Sequence, residues 1–403
     1  MRPTALLDDF YAVSARSGPD GAVPVTSCPG LMVLGVQGTG ESTPAANPDV
    51  TGGMLGTMVG PMLARGVDIE QVTIPYEASF GGAPGTGEGR EPFSSSVEQA
   101  TARLNATAAG VVSRCPHTML AVAGYSQGAV AAAQFAREVG EGHGPVPADR
   151  VAGVALFSDG TRPAGGAPFP GAPGQLAPSP APGTDGAATQ QIRVPVPPAS
   201  GGITPDEAGF GGLSGRVGEF CARRDLACDA PDHAAVLRTA AGLAARADLH
   251  DPIAAVTSLG GAWQQTTAAA TAAVVLHDVQ IDGNGGVNYV PAESVSDRIA
   301  DAADPRTPAP GSDRTQEAAD KVGRIVAAVA ADPLRQLPRL AGQIGAAIAA
   351  NLAANADVLD PATIVSYADV MANHTSYGGG ATEQAADWFT ALSVDIANAR
   401  GGR

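Results

Sequence analysis

Short apolar runs alternate with longer stretches of mixed polarity along the first 160 residues of the chain. Each of four such runs has the length of a buried strand and ends at polar or glycine-rich positions; these runs are Gly30–Gln37, Gln71–Pro75, Thr118–Gly124 and Val151–Ser158. Ser95 and Glu98 have the spacing of a capping box, which predicts a helix from there to about Ser113. The alanine-rich segment Gln127–Val139 predicts another helix. Strands separated by helices predict a mostly parallel sheet covered on both faces.

Residues 160–203 have a different character, because proline, glycine and alanine dominate tracts such as PAGGAPFPGAPG. This composition has little apolar bulk with which to build a core, so it predicts a long surface loop. An ordered pattern returns over residues 216–228.

From about residue 234 to residue 370 the chain is alanine-rich, which predicts a mainly helical segment. Asp251-Pro252 and Asp360-Pro361 each have the pattern of an N-cap followed by proline at the first helical position. Asp301–Arg314 is polar and predicts a linker inside this helical segment.

One predicted helix in this segment carries a single apolar face. Its large residues recur every three or four positions, at Leu337, Leu340, Ile344, Ile348 and Leu352. The ordinary interpretation is packing of this helix against its neighbours. The alternative is a lid whose apolar face contacts lipid.

Charge and composition exclude some function classes. The 403 residues include 24 basic and 40 acidic side chains, which give a net charge of −16. Such a surface repels phosphate backbones and anionic headgroups, so we expect no nucleic-acid partner. No apolar run has the length of about 18 to 20 residues that a membrane span needs. The first residues do not have the pattern of a signal peptide, because Asp8 and Asp9 interrupt the expected apolar core.

The chain has an even set of four cysteines, at positions 28, 115, 221 and 228. They lack the short paired spacings of a zinc site, so we predict two disulfides in an oxidising compartment. Four buried thiols in a cytosolic protein are the alternative.

Ser126 stands in the sequence Gly124-Tyr125-Ser126-Gln127-Gly128, between a predicted strand and a predicted helix. This is the context of a nucleophile elbow, in which glycines let strand and helix close tightly around a serine with an exposed hydroxyl. The helix N-terminus also favours the negative charge that develops during attack. We therefore predict that Ser126 is a nucleophile.

A serine nucleophile needs a base, and the base needs an acid that orients it. In α/β-hydrolases these residues follow the nucleophile in the order acid, then histidine. His117 precedes Ser126, and His143 leaves almost no room for an acid. The pattern does not rank the four histidines that remain, at positions 233, 250, 277 and 374.

Four segments together resemble the cutinase family. They are GYSQGA at Gly124–Ala129 with Cys115 upstream, GTGE at Gly38–Glu41, VGEFCARRDLAC at Val217–Cys228 and HTSYGG at His374–Gly379. The first is similar to that family's elbow, the third to its paired-cysteine loop and the fourth to its histidine segment. The resemblance implies an α/β-hydrolase-like three-layer sandwich with a mostly parallel sheet.

The resemblance also implies a role for individual residues. Ser126 would be the nucleophile, Asp225 the acid and His374 the base, while Thr39 and the backbone N–H of Gln127 would form the oxyanion hole. No metal and no organic cofactor are needed for this chemistry.

The resemblance further implies disulfides Cys28–Cys115 and Cys221–Cys228. Two alternatives stay open: Asp159, just after a predicted strand, is a rival acid, and His233, five residues after Cys228, is a rival base.

The chain departs from the family pattern in one respect, because 149 positions separate Asp225 from His374. We therefore expect a hydrolase core over 1–235, a helical insert and possible lid over 236–364, and the rest of the core with a C-terminal helix over 365–403. The elbow also resembles that of phage mycolyl-arabinogalactan esterases, which carry a helical insert.

These observations predict a secreted or cell-envelope-associated, monomeric serine carboxylester hydrolase that cleaves medium- to long-chain acyl esters. Acyl transfer or thioester cleavage on cell-envelope lipids with the same triad is one alternative. A catalytically inactive cell-surface binding protein is the other.

Overall fold

The computed structural model describes residues 21–231, 235–355 and 369–401, and the chain divides into two units. The first unit combines Met1–Ala230 with Asp369–Arg403, and the second contains Pro231–Ala368. The second unit therefore interrupts the sequence of the first.

A five-stranded sheet with the order β2-β1-β3-β4-β5 lies at the centre of the first unit. Every neighbouring pair of its strands is parallel, as the alternating pattern predicts. The strands are β1 Leu31–Val36, β2 Ile69–Thr73, β3 Met119–Tyr125, β4 Val151–Phe157 and β5 Val217–Phe220. Strand β2 begins two residues before its predicted start, because Ile69 already pairs with Leu31 of β1.

Helices cover both faces of this sheet. They are α1 Gly53–Leu63, α2 Phe93–Arg114, α3 Gln127–Gly140 and, near the C-terminus, α9 Val370–His374 and α10 Gly380–Gly401. One apolar core lies between the sheet and α2 with α3, and a second lies between the sheet and α1 with α10. Buried parallel strands between two helical layers confirm the predicted three-layer α/β fold.

The capping box predicted for α2 is wrong. The helix begins at Phe93, two residues before Ser95, and Pro92 is its N-cap without a side-chain hydrogen bond. Ser95 therefore lies inside the first turn, where its hydroxyl cannot cap the helix.

The proline-rich segment 160–203 has no strand, as expected of a long loop, but a few of its residues are buried. Phe169 is completely buried, and its ring meets the Trp388 ring of α10 edge to face with 5.9 Å between centroids. The Asp395 carboxylate of α10 accepts hydrogen bonds from the backbone N–H groups of Ala188 and Thr189. A few anchors suffice because prolines reduce the conformational entropy that the unfolded segment would lose.

The second unit contains five described α-helices and one antiparallel hairpin. They are α4 Ala235–Ala245, α5 Pro252–Ala273, β6 Val279–Ile281, β7 Val287–Tyr289, α6 Val295–Ala303, α7 Ser312–Ala331 and α8 Pro333–Ala354. The Asp251 carboxylate caps α5 by accepting from the N–H groups of Ile253 and Ala254, which confirms that predicted N-cap. Asp360 and Pro361 lie outside the described residues.

The polar linker predicted over Asp301–Arg314 is shorter than expected. Helix α6 continues to Ala303 and α7 begins at Ser312. The polar side chains at both ends of the predicted linker lie on exposed helix surface, because a surface helix tolerates a polar face as readily as a loop does.

Helix α8 packs against its own unit through amide side chains. Gln336 accepts from the Val287 N–H at 3.1 Å, and Gln343 accepts from the Tyr289 N–H at 2.9 Å. Asn351 accepts from the N–H of Ser296 at 2.8 Å.

The apolar stripe of α8 is largely exposed. Leu340 is partly buried, but the exposed fractions are 56% for Leu337, 47% for Ile344, 54% for Ile348 and 66% for Leu352. The ordinary interpretation of the stripe as packing surface is therefore wrong, since the helix turns its amides inward. Over the three described ranges, none of the helices has both the length and the hydrophobicity needed to span a membrane.

Candidate active site

Ser126 occupies the sharp turn between β3 and α3. Its φ is +53°, in the left-handed region that non-glycine residues seldom adopt. A side chain at Gly128 would clash with the carbonyl oxygen of Val36, and one at Gly124 would clash with that of Gly128. The two glycines of the motif thus permit the tight turn, and such strain at a turn is typical of a functional residue.

His374 connects Ser126 to Asp225, because Nε2 of its ring accepts from the serine hydroxyl and Nδ1–H donates to the carboxylate. Its Nε2 lies 2.9 Å from Ser126 Oγ, and its Nδ1 lies 2.8 Å from Asp225 Oδ1. The Tyr125 hydroxyl donates to the His374 backbone carbonyl at 2.9 Å and so fixes the end of α9 beside the elbow. In such a chain an imidazole can take the serine proton while a carboxylate holds the opposite nitrogen.

Asp225 is completely buried in the loop that follows β5. The disulfide Cys221–Cys228 closes this loop, and the Ala227 N–H donates to Asp225 Oδ1 at 3.1 Å. Burial by itself would raise the pKa of Asp225, but hydrogen bonds from His374, Ser158 and Tyr377 and attraction to His374 hold that pKa below its usual range. The carboxylate is therefore ionised at neutral pH.

The four cysteines form two disulfides. Cys28 bonds to Cys115 and Cys221 bonds to Cys228, with Cα–Cα distances of 5.4 and 5.9 Å. This is the pairing that the family resemblance implies, and both distances are ordinary for disulfides.

Thr39 lies in the loop after β1, and Gln127 is the first residue of α3. The Thr39 hydroxyl lies 3.4 Å from Gln127 Oε1. The backbone N–H of Gln127 belongs to the first turn of α3, whose amides have no partner within the helix. Both residues thus border Ser126 at the carboxyl edge of the sheet, where ligands of parallel α/β sheets bind.

Glu41 supports the loop that carries Thr39. Its carboxylate accepts from the Gly38 N–H at 3.1 Å and from the Met54 N–H at 2.9 Å, which joins the loop to the start of α1. The GTGE segment thus contains the carboxylate that fixes the conformation of its own loop.

The rival residues have other surroundings. Asp159 is buried and accepts from the N–H and hydroxyl of Thr161, each at 2.8 Å. His250, in the second unit, lies 2.6 Å from Asp251. His233 lies outside the described residues.

Two hydroxyl residues beside Asp225 escaped the sequence analysis. Tyr377 donates to Asp225 Oδ2 at 2.6 Å, and Ser158 Oγ lies 3.0 Å from His374 Nδ1. Tyr377 belongs to the HTSYGG segment, which pointed to it only as a neighbour of His374. Ser158 follows a strand and belongs to no motif, so no local signal identifies it.

An elbow serine, a histidine and a buried carboxylate in one hydrogen-bonded chain define a site of the α/β-hydrolase type. The family model named Cutinase matches residues 27–239. The Carboxylesterase Culp6 homolog of Corynebacterium glutamicum is 34% identical over 219 residues, and the match covers 51% of this chain and 66% of that relative. The family match extends over more than half of the chain, and the chain belongs to the cutinase family.

Two solved structures are also similar to this chain. The catalytic core domain of acetyl xylan esterase from Trichoderma reesei is 20% identical, with a TM-score of 0.36 and coverage of 58% of this chain and 99% of that one. Lysin B from Mycobacteriophage D29 is 19% identical, with a TM-score of 0.30 and coverage of 75% of this chain and 90% of that one.

Proposed function

We propose that this protein is a serine carboxylester hydrolase in which Ser126, His374 and Asp225 form the catalytic triad. The observation that carries the proposal is the continuous hydrogen-bonded chain, with 2.9 Å from Ser126 to His374 and 2.8 Å from His374 to Asp225. Membership of the cutinase family agrees with ester hydrolysis.

The reaction proceeds in two steps. Ser126 Oγ attacks the ester carbonyl carbon while His374 Nε2 takes the hydroxyl proton, and the alcohol leaves with that proton. Water then attacks the acyl-enzyme with His374 again as the base, which releases the acid and restores Ser126. Asp225 stays ionised and stabilises the imidazolium in both steps.

The oxyanion of each tetrahedral intermediate binds to the Gln127 N–H and to a donor from Thr39. The α3 N-terminus adds a favourable electrostatic field, because its first amides point towards the developing charge. Glu41 holds the Thr39 loop in place through the hydrogen bonds to Gly38 and Met54.

We propose medium- to long-chain acyl esters as the substrate and a place outside the cytoplasm. A series of p-nitrophenyl esters from acetate to laurate tests the chain length, and a profile that peaks at acetate would reject it. Two disulfides and no free thiol among the four cysteines fit an oxidising compartment. A net charge of −16 favours neutral esters over anionic ones.

A fluorophosphonate probe together with p-nitrophenyl ester hydrolysis tests this function, since only an activated serine is labelled. We expect labelling of the wild-type protein at Ser126 and loss of both labelling and hydrolysis in Ser126→Ala, by several orders of magnitude in rate. Ser95→Ala, an exposed serine of α2, is the matched control and should behave as wild type. An unlabelled, inactive wild-type protein would favour a binding role instead.

A further inference from the structure

The end of β4 places a second hydroxyl beside the triad. Ser158 directly follows β4, it is completely buried, and its φ is +58°. Its N–H donates to the Phe220 carbonyl at the end of β5 at 3.0 Å. A buried serine that keeps a left-handed backbone persists only where its surroundings hold it, and such strain is concentrated at functional sites.

The Ser158 side chain lies beside the contact between His374 and Asp225. Its Oγ is 3.0 Å from His374 Nδ1, the nitrogen that also lies 2.8 Å from Asp225 Oδ1. A hydroxyl at this place favours the ionised carboxylate, and Ser158 contributes to the lowered pKa of Asp225.

Tyr377 holds the other side of the carboxylate. Its hydroxyl donates to Asp225 Oδ2 at 2.6 Å and accepts from the Ala222 N–H at 3.0 Å. Its ring is buried against Phe157 and Tyr125, each with 6.1 Å between centroids. The hydroxyl therefore has a fixed direction, set by packing as well as by hydrogen bonds.

We infer that Ser158 and Tyr377 are positioning residues, whose two hydroxyls hold the Asp225 carboxylate in line with His374 Nδ1. The inference rests on the proposed function and extends it to two residues outside the triad. Neither hydroxyl acts on the substrate in this scheme. Each acts through Asp225, which must point one oxygen at the imidazole in every turnover.

The two hydroxyls also determine the pH below which the site loses activity. Donors to a carboxylate favour its ionised form, so removing one raises the pKa of Asp225. Because the pair needs an ionised Asp225, this change moves the acid limb of the rate profile to higher pH.

Other titratable groups face this pair from neighbouring elements. Among the described residues, Tyr377 and Tyr125 face Asp225, and burial raises the pKa of each well above neutrality. The Glu41 carboxylate also acts on Tyr125. Because Glu41 is the same in wild type and in every variant, a difference between their acid limbs reports the Asp225–His374 pair.

The test compares Ser158→Ala, Ser158→Gly and Tyr377→Phe with the wild-type full chain, using a soluble p-nitrophenyl ester. We expect each variant to lower kcat about tenfold or more with little change in KM, since a hydrogen bond to a charged group is lost away from the substrate. We also expect the acid limb of kcat/KM to move to higher pH by about half a unit to one unit.

The two Ser158 variants separate the hydroxyl from the backbone. Both lack Oγ, but glycine relieves the positive φ and alanine does not. Equal losses of activity in a less stable alanine variant and a more stable glycine variant would support the inference. The inference would be overturned if the activities of the two Ser158 variants differed in parallel with their melting temperatures. It would also be overturned if the acid limb of kcat/KM stayed at the wild-type pH in all three variants. An inactive, unlabelled wild-type protein would instead reject the proposed function.

Discussion

Ser126 Oγ and His374 Nε2 lie 2.9 Å apart, although 248 positions separate these residues along the chain. The second unit, Pro231–Ala368, lies between Asp225 and His374 in the sequence. The site therefore depends on the return of the chain to the first unit at Asp369, immediately before α9. This return makes the choice of the catalytic histidine testable.

Replacing His374 by Gln removes the group that lies between Ser126 and Asp225. We expect His374→Gln to lose several orders of magnitude in kcat while it keeps the wild-type melting temperature within a few degrees, because the triad acts as a unit. Fluorophosphonate labelling should slow in parallel. Ester hydrolysis and thermal unfolding measure both effects.

His233→Gln tests the rival base, and His143→Gln, at a side chain that is 81% exposed, is the control for the substitution itself. Both should hydrolyse esters at wild-type rates. Loss of activity in His233→Gln with retention in His374→Gln would transfer the role of base to His233.

Removal of the two disulfides should affect stability and activity to different extents. Cys28–Cys115 closes a loop with a separation of 87, whereas Cys221–Cys228 closes one with a separation of 7. In the chain-entropy account these loops correspond to about 4.6 and about 2.4 kcal/mol of stability. The short loop, however, carries Asp225.

We therefore expect Cys28→Ser with Cys115→Ser to lower the melting temperature more, and Cys221→Ser with Cys228→Ser to lower kcat/KM more. Thermal unfolding and ester kinetics on both double variants measure this difference. A short-loop variant with full activity would mean that Asp225 keeps its place without the disulfide.

Glu219 of β5 predicts a pH dependence of stability. It is completely buried, and neither carboxylate oxygen has a hydrogen-bond partner among the described residues. Burial raises the pKa of Glu219 well above its usual range, and the nearby charge of Asp159 adds to this effect. The folded protein thus keeps a proton that the unfolded chain loses above about pH 4.3.

The free energy of unfolding should therefore fall as pH rises from about 4.3 through the raised pKa, since the folded state binds more protons over that range. Glu219→Gln replaces the ionisable carboxyl with a neutral amide, so unfolding no longer releases a proton from this position. We therefore expect its melting temperature to exceed that of wild type at pH about 8 and to approach it near pH about 4. Glu98→Gln, at an exposed position of α2, is the control. Parallel melting curves for wild type and Glu219→Gln across this range would contradict the prediction.

Local sequence patterns determined four of the five strands of the parallel sheet, the elbow and the N-cap of α5, whereas β5 was not predicted. Buried parallel strands have the sequence pattern of short apolar runs. A turn as tight as the one at Ser126 requires Gly124 and Gly128, so each of these features has a sequence pattern only a few residues long. The capping box predicted at Ser95 is wrong because such a short local pattern can also occur by chance inside a helix.

Only the tertiary structure decided which distant groups meet. The strained position of Ser158 and the direction of the Tyr377 hydroxyl depend on how β4, β5 and α9 end beside one another, and no spacing along the chain encodes that. The sequence also did not show that the apolar face of α8 is exposed. Periodicity indicates that one face of a helix is apolar, but it does not indicate which face packs against the rest of the unit. Side-chain pattern is a local property of the chain, whereas contact between its distant parts is a property of the fold.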